Sequence, residues 1–390
     1  MPDDTPSTEA RPLAPQVASF TAIHIIINTM YRMVYPFLPA IARGLGVEIT
    51  AIAQALTWRN LLGAAGPFLA ALSDSRGRRA GMLFGLSLFI SGGLVVIVWP
   101  TLPGFVIALV FTTLGKFVFA PAMYAYLGDR VPYDQRSRSI AFTEMGWSLS
   151  SLLGLPLMGL LIGYFGWWAP FPVLTVLAMG GMGTLILIFP RDPVQVRQSN
   201  MLKNFRLVFS SVPAIAGLVI YGSLSGAHEV VNLLFGVWME DAFGLQITAL
   251  GAAAAVIGIA ELAGEGLVST LTDRLGKKRA VAIGLILTAL SAIVLPMLGF
   301  NVAGALAGLF LFYITFEFTF VSMIPMMTEI LPAARATLLA LSFAIASLGR
   351  ALASQVAIPL YDIGFWAGAV AALIFILMAL AALSLIPEAE

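Results

Sequence analysis

Apolar runs of about 20 residues recur along the chain, and this repetition restricts the fold more than any other property. A helix rises 1.5 Å per residue, so about 20 residues cross the roughly 30 Å of hydrocarbon in a bilayer. Twelve runs occur, at approximately 16–42, 50–73, 80–99, 103–127, 138–164, 167–189, 211–239, 246–272, 280–298, 302–328, 336–360 and 364–386. They are too long, and too rich in Leu, Ala and Gly, to be the alternating segments of a transmembrane barrel. Of the 390 residues, 59% are hydrophobic and 11% charged, whereas a soluble domain carries about 25% charged residues. A soluble enzyme, a nucleic-acid binder and a disordered scaffold are thereby excluded. The chain is expected to be an all-α membrane protein with twelve transmembrane helices.

The formal net charge of +1 selects no partner, and the absence of cysteine removes disulfides and thiolate chemistry. Residues 1–16 are polar and acidic and feed no cleavable apolar core, so a signal peptide is not expected. Sixteen of the 21 Lys and Arg residues fall between spans on one side, Arg43 alone lies on the other, and Arg32, Arg59, Lys116 and Arg350 lie within spans. By the positive-inside rule the rich side is cytoplasmic. Both termini are therefore expected in the cytoplasm, with the chain in a plasma (inner) membrane. The longest polar connection follows the sixth span. The expected organisation is a tail at 1–15, a six-helix bundle at 16–190, a linker at 191–210, a second bundle at 211–386 and a tail at 387–390.

The two halves repeat each other. Asp74, Gly77, Arg78 and Arg79 after the second span match Asp273, Gly276, Lys277 and Lys278 after the eighth, with Arg274 beside them, at an offset of 199. Asp129 and Arg136 after the fourth span match Glu329 and Arg335 after the tenth, and Gly166-Trp167-Trp168 matches Gly364-Phe365-Trp366. Such internal duplication is a transporter architecture. The Asp-x-x-Gly-Arg/Lys-Arg/Lys loop resembles the signature of the major facilitator superfamily, although Ala70 stands where that family usually has a glycine. The resemblance covers the whole chain. It implies two pseudo-symmetric six-helix bundles, alternating access, and structural or gating roles for these loop residues. Tyr35-Pro36-Phe37-Leu38-Pro39 in the first span resembles the paired prolines of the drug/proton antiporter branch. Gly154-Leu155-Pro156 in the fifth resembles a degraded form of that branch's glycine-proline motif.

No phosphate-cradling Gly-x-x-x-x-Gly-Lys-Ser/Thr loop and no hydrolase or metalloprotease motif occurs, so no cofactor, metal or catalytic residue is assigned. The work is expected to come from an ion gradient, most simply protons. An ionisable residue at mid-membrane costs roughly 2.5–3.5 kcal/mol on insertion scales and marks function. Arg32 and Glu229, and likewise Lys116 and Glu317, occupy pseudo-equivalent positions with opposite charge. These four lie on the first, seventh, fourth and tenth spans, which line the central cavity in the family it resembles. His24, Asn28 and Arg32 form one slanting stripe, and Tyr221, Ser225, His228 and Asn232 another. Glu261 and Glu265 share a face of the eighth span, with Arg350 as the expected partner of one of them. Glu144 is expected to gate or to pair, and Arg59 to reach an anionic substrate. Glu229, Glu317, Glu261, Glu265 and His228 are thus the proton-coupling candidates. His24, Asn28, Arg32, Arg59, Lys116, Tyr221, Ser225, Asn232 and Arg350 are the cavity candidates.

The expected function is proton-coupled export of an amphipathic organic compound by a monomer surrounded by lipid. Import or exchange of an organic anion or zwitterion is the second reading. A transport-inactive receptor or assembly factor is the third.

Overall fold

A computed structural model describes residues 13–66, 77–131, 133–190 and 201–387. Asp74 lies outside the described residues, as do the side chains of Arg136 and Asp273.

The chain is all-helical, with twelve spans in two six-helix halves. The first span is broken into α1 (Leu13–Arg32) and α2 (Leu38–Leu45), and the second is α3, described over Ile49–Gly63. The third and fourth are α4 (Arg78–Val98) and α5 (Leu102–Arg130). The fifth joins α6 (Tyr133–Leu149) to α7 (Leu155–Phe165) through a π-helical turn at Ser150–Gly154, and the sixth is α8 (Pro170–Ile188). A short helix, α9 (Met201–Phe209), occupies the second part of the expected linker. Spans seven to twelve are α10 (Val212–Phe243), α11 (Ile247–Leu275), α12 (Lys277–Leu298), α13 (Val302–Ile330), α14 (Arg335–Tyr361) and α15 (Phe365–Leu383). Eleven helices are long and apolar enough to cross a membrane; the second span is described over too few residues to qualify by itself.

Large apolar side chains such as Leu157, Val176, Leu290, Leu352 and Ile374 face outward. A surface of this kind is stable against lipid and not against water. The seventh span differs: 89% of its most apolar window is buried, against 33–56% for the others. It is the central helix, and polar groups on it face protein on almost every side.

Local sequence explains the two interrupted spans. Pro36 and Pro39 lack the N–H that would continue the helical ladder of the first span. The carbonyls of Tyr35 and Pro36 turn instead onto Gly236 of the seventh span. A Cβ there would come within 2.6 and 2.5 Å of those two oxygens, so only glycine admits the crossing. In the fifth span the π-helical turn precedes Pro156, and its backbone lies against the eighth span at Gly258 and Gly251. A Cβ on Gly258 would lie 2.6 Å from Leu152 N and 2.9 Å from Ser148 O. Proline interruption on one side and glycine on the other bring the halves together backbone to backbone.

Among the described residues the halves pack helix on helix mainly through three pairs of spans: first with seventh, second with eleventh, and fifth with eighth. Gly236 sits toward the Lys/Arg-poor end, so a larger side chain there must part the halves at that end. Overpacking of this kind costs about 1–3 kcal/mol. In a Gly236→Val background, a single cysteine replacing Phe37 should be labelled faster from the Lys/Arg-poor side than with Gly236 present; an unchanged rate would contradict this account of the crossing.

Candidate substrate cavity and gates

At the Lys/Arg-rich end the duplicated loops make duplicated ion pairs. Gly77 and Gly276 both adopt positive φ (93° and 84°), which lets each chain reverse between consecutive spans. The next residues then face the end of the following helix hairpin. Arg78 Nε lies 3.2 Å from Asp129, and Lys277 bonds Glu329 at the equivalent place in the second half. Arg79 donates to the carbonyls of Ile186 at 2.7 Å and Leu185 at 3.4 Å, at the end of the sixth span. Basic groups are favourable at helix C-termini, where carbonyls lack partners. Arg335 does the same for Thr328 at 2.8 Å. Arg274 is exposed and Lys278 half-buried at this end. Glu144 does not belong to this group: it takes the hydroxyl of Tyr124, inside the first half.

The ionisable side chains inside the spans converge at mid-membrane. Arg32 makes a two-pronged bond to Glu261, with Nη1–Oε2 at 2.8 Å and Nη2–Oε1 at 2.7 Å. Trp147 Nε1 donates to the same carboxylate at 3.2 Å, while its ring lies 4.2 Å from the Arg32 guanidinium carbon. Parallel N–H···O bonds between ionised groups are among the strongest in proteins. This pair joins the first span to the eighth, and therefore one half to the other.

Glu229 is completely buried and is held by neutral donors. Tyr35 Oη donates at 2.8 Å, Asn60 Nδ2 at 3.1 Å and Ser354 Oγ at 2.9 Å. Tyr35 and Asn60 belong to the first half and Ser354 to the second, so this carboxylate is a second tie between halves. Arg59 stands one step behind it, donating to Tyr35 Oη at 2.5 Å.

Several sequence expectations are corrected here. Arg32 does not meet Glu229; the eighth span presents Glu261 at the right depth, and the bidentate geometry takes it. Glu261 is consequently not available to Arg350, whose Nη1 reaches Tyr31 Oη at 3.4 Å. Lys116 does not pair with Glu317 but lies over the rings of Tyr31 (4.2 Å) and Trp147 (4.5 Å). Arg59 is not a free cation for substrate. Its Nη1 donates to Tyr31 O at 3.0 Å, at the broken end of α1, and its charge stacks on the Tyr31 ring at 4.1 Å. It caps the carbonyls that the proline break leaves open. His228 does not lean on Glu229. It stacks on Phe316 with ring centroids 4.1 Å apart, and Asn232 Nδ2 lies 3.3 Å from its Nδ1.

The remaining candidates fall into place around these groups. Glu265 accepts from Ser148 Oγ at 2.9 Å, across the halves. Glu317 lies beside Gly264, where a Cβ would come 2.8 Å from its own. His24 Nδ1 lies 2.9 Å from Thr143 O, so the lower part of the first stripe packs on the fifth span. Both amide atoms of Asn28, the hydroxyl of Tyr221 and that of Ser225 are buried with no protein hydrogen-bond partner. Sequence reasoning did not single out Tyr31, Asn60, Trp147 or Ser354, and it quoted Tyr35 only as part of the proline motif. Tyr35, Asn60 and Ser354 carry a signal in hindsight: each stands next to, or within one turn of, an ionisable residue in a span.

The family model described as Major Facilitator Superfamily matches residues 20–354. The chain belongs to the Major Facilitator Superfamily. Like other members, it is a membrane transporter. It is 25% identical over 368 residues to the uncharacterized MFS-type transporter YceJ of Bacillus subtilis (strain 168), covering 92% of this chain and 93% of that one. It is also 25% identical over 242 residues to the class C tetracycline resistance protein of Escherichia coli, covering 59% of each, and this supports the drug-antiporter resemblance. Among solved structures, a POT peptide transporter mutant in complex with alafosfalin superimposes with a TM-score of 0.77 at 14% identity, covering 96% of this chain and 95% of the other. At that identity the match speaks for the shared MFS fold alone.

Within this MFS fold the Arg32–Glu261 pair is the most demanding interaction. Removing one partner of a buried ion pair strands the other and costs about 3–5 kcal/mol, whereas removing both can be nearly neutral. Arg32→Gln should therefore lower the thermal unfolding midpoint of the purified protein more than the double variant Arg32→Gln/Glu261→Gln does. Equal losses in the two would show that the pair is not coupled.

Proposed function

We propose that this chain is a proton-coupled secondary transporter working by alternating access, and that it exports a small organic compound in exchange for protons. The observation that carries the coupling is the environment of Glu229, a completely buried carboxylate bonded by donors from both halves. Opening the Lys/Arg-poor end must pull Tyr35 and Asn60 away from it. Bonds to an ionised acceptor are stronger than bonds to a neutral one. The ionised form therefore favours the closed end, and a proton on Glu229 favours release.

Arg32–Glu261 supplies a second charge-dependent tie at the same depth. Glu265 and Glu317 lie near Glu261, and both are further candidates for a proton. The direction of transport rests on two supports. One is the proline-broken first span with the glycine-proline turn of the fifth, which resemble the drug/proton antiporter branch. The other is the likeness to a protein named for tetracycline resistance.

The test uses proteoliposomes with an internal pH-sensitive dye and a compound first found by thermal stabilisation of the purified protein. Adding that compound should move protons through the unaltered protein. Glu229→Gln should abolish accumulation driven by a pH gradient while counterflow of the same compound persists. Normal gradient-driven accumulation by Glu229→Gln would move the coupling role to Glu317 or Glu261. The same outcome at all three would refute proton coupling through these spans.

A further inference from the structure

The mid-membrane cations fall into two kinds. Arg32 and Arg59 are buried and committed, the first to Glu261 and the second to the carbonyl of Tyr31 and the hydroxyl of Tyr35. Lys116 and Arg350 are half-buried, and among the described residues neither forms an ion pair. Lys116 Nζ lies over two ring faces, Tyr31 at 4.2 Å and Trp147 at 4.5 Å. Arg350 gives one long side-chain bond, to Tyr31 Oη at 3.4 Å, from a group with five donors.

The neighbouring carboxylates are engaged elsewhere. Glu229 is taken by Tyr35, Asn60 and Ser354, Glu261 by Arg32 and Trp147, Glu265 by Ser148, and Glu144 by Tyr124. Glu317 has its Cβ against Gly264 of the eighth span, and among the described residues its carboxylate pairs with neither cation. A cation over an aromatic face gains about 0.5–2 kcal/mol, less than the several kcal/mol that taking an ion out of water costs. Glu229 and Glu144 act on Arg350 and Lys116 through space, but among the described residues neither acid bonds them, so both cations lack a paired counter-charge.

We infer that Lys116 and Arg350, set in opposite halves around Tyr31, form a subsite for the anionic group of a small organic acid. This deepens the transport reading above, on which it rests, by assigning the substrate a negative charge. An anion between the two side chains neutralises both and accepts hydrogen bonds from both. Because Lys116 is on the fourth span and Arg350 on the eleventh, it also draws the halves together at mid-membrane. The inference adds a requirement on the substrate that Glu229 does not impose.

Equilibrium binding to purified protein in detergent tests this without any gradient. The probes are benzoate, salicylate, glutarate and phenyl phosphate, with benzamide and salicylamide as uncharged counterparts and chloride as a simple anion. At least one organic anion should raise the unfolding midpoint by several degrees while the uncharged counterparts do not. Lys116→Gln and Arg350→Gln should each weaken the apparent affinity for that anion at least ten-fold. Lys116→Arg should keep most of it, and a variant that unfolds without ligand is set aside in favour of the other position. The inference is overturned if no organic anion stabilises the protein, if the uncharged compounds or chloride do so equally, or if the Gln variants bind as tightly as the unaltered chain. A protein that binds the anion but moves no protons would overturn the coupling reading alone, and one that transports only uncharged compounds would overturn the subsite alone.

Discussion

Hydrocarbon offers no water to a polar group, so every charge placed in this molecule at mid-membrane must be answered by the protein or by what it binds. The bidentate bond between Arg32 and Glu261 is the clearest answer, and much else follows from it. It sets the depth at which the first and eighth spans face each other. It places Trp147 over the guanidinium and sends Arg350 and Lys116 to Tyr31 instead of to an acid. Arg59 answers a different need, the carbonyl that the broken first span leaves open. One span thus creates two electrostatic demands, a charge and an orphaned helix end, and two neighbouring spans meet them.

The interactions divide by place and by purpose. Arg78–Asp129 and Lys277–Glu329 stay within a half and brace the Lys/Arg-rich ends of its own helices. Arg32–Glu261, the Glu229 cluster and Ser148–Glu265 cross between halves at mid-depth. The glycine crossings at Gly236, Gly251 and Gly258 hold the same two bodies by contact alone. A rocking motion can leave the first set intact while exchanging the second. Contacts between backbones bring no charge to desolvate, so they can part without leaving an unpaired ion. The cross-half polar ties lack that freedom, because parting them leaves buried polar groups without partners.

Much of this was legible from residue order. Span number, duplication and the matched basic loops follow from hydropathy and from matches at a constant offset, and both are local properties of the chain. The matched ion pairs at Arg78 and Lys277 follow from the same signal, because each pair joins consecutive spans. Partner choice across the halves was not legible. Pseudo-equivalence pointed Arg32 toward Glu229, but symmetry relates positions and does not bring them into contact. Arg32 and Glu261 are 229 residues apart, and only the tilt and depth of the eighth span decide that they meet. The role of Arg59 was hidden for a different reason. Its acceptor is a backbone carbonyl exposed by Pro36 and Pro39, and the cost of a helix break falls on atoms that every residue carries.

The separation between Arg32 and Glu261 also bears on how the molecule is made. A chain synthesised at about 5–20 residues per second delivers the acid roughly 11–46 s after its arginine. For that interval the first half stands in or beside the insertion machinery with Arg32 lacking its counter-charge. Lys116, with no acid of its own, waits as well. The rings of Trp147 and Tyr31 belong to the same half and are available long before the eighth span is. Stacking of Arg32 on Trp147 and of Lys116 on Tyr31 needs residues of the first half alone, so these ring faces are within the cations' reach before the eighth span has been made.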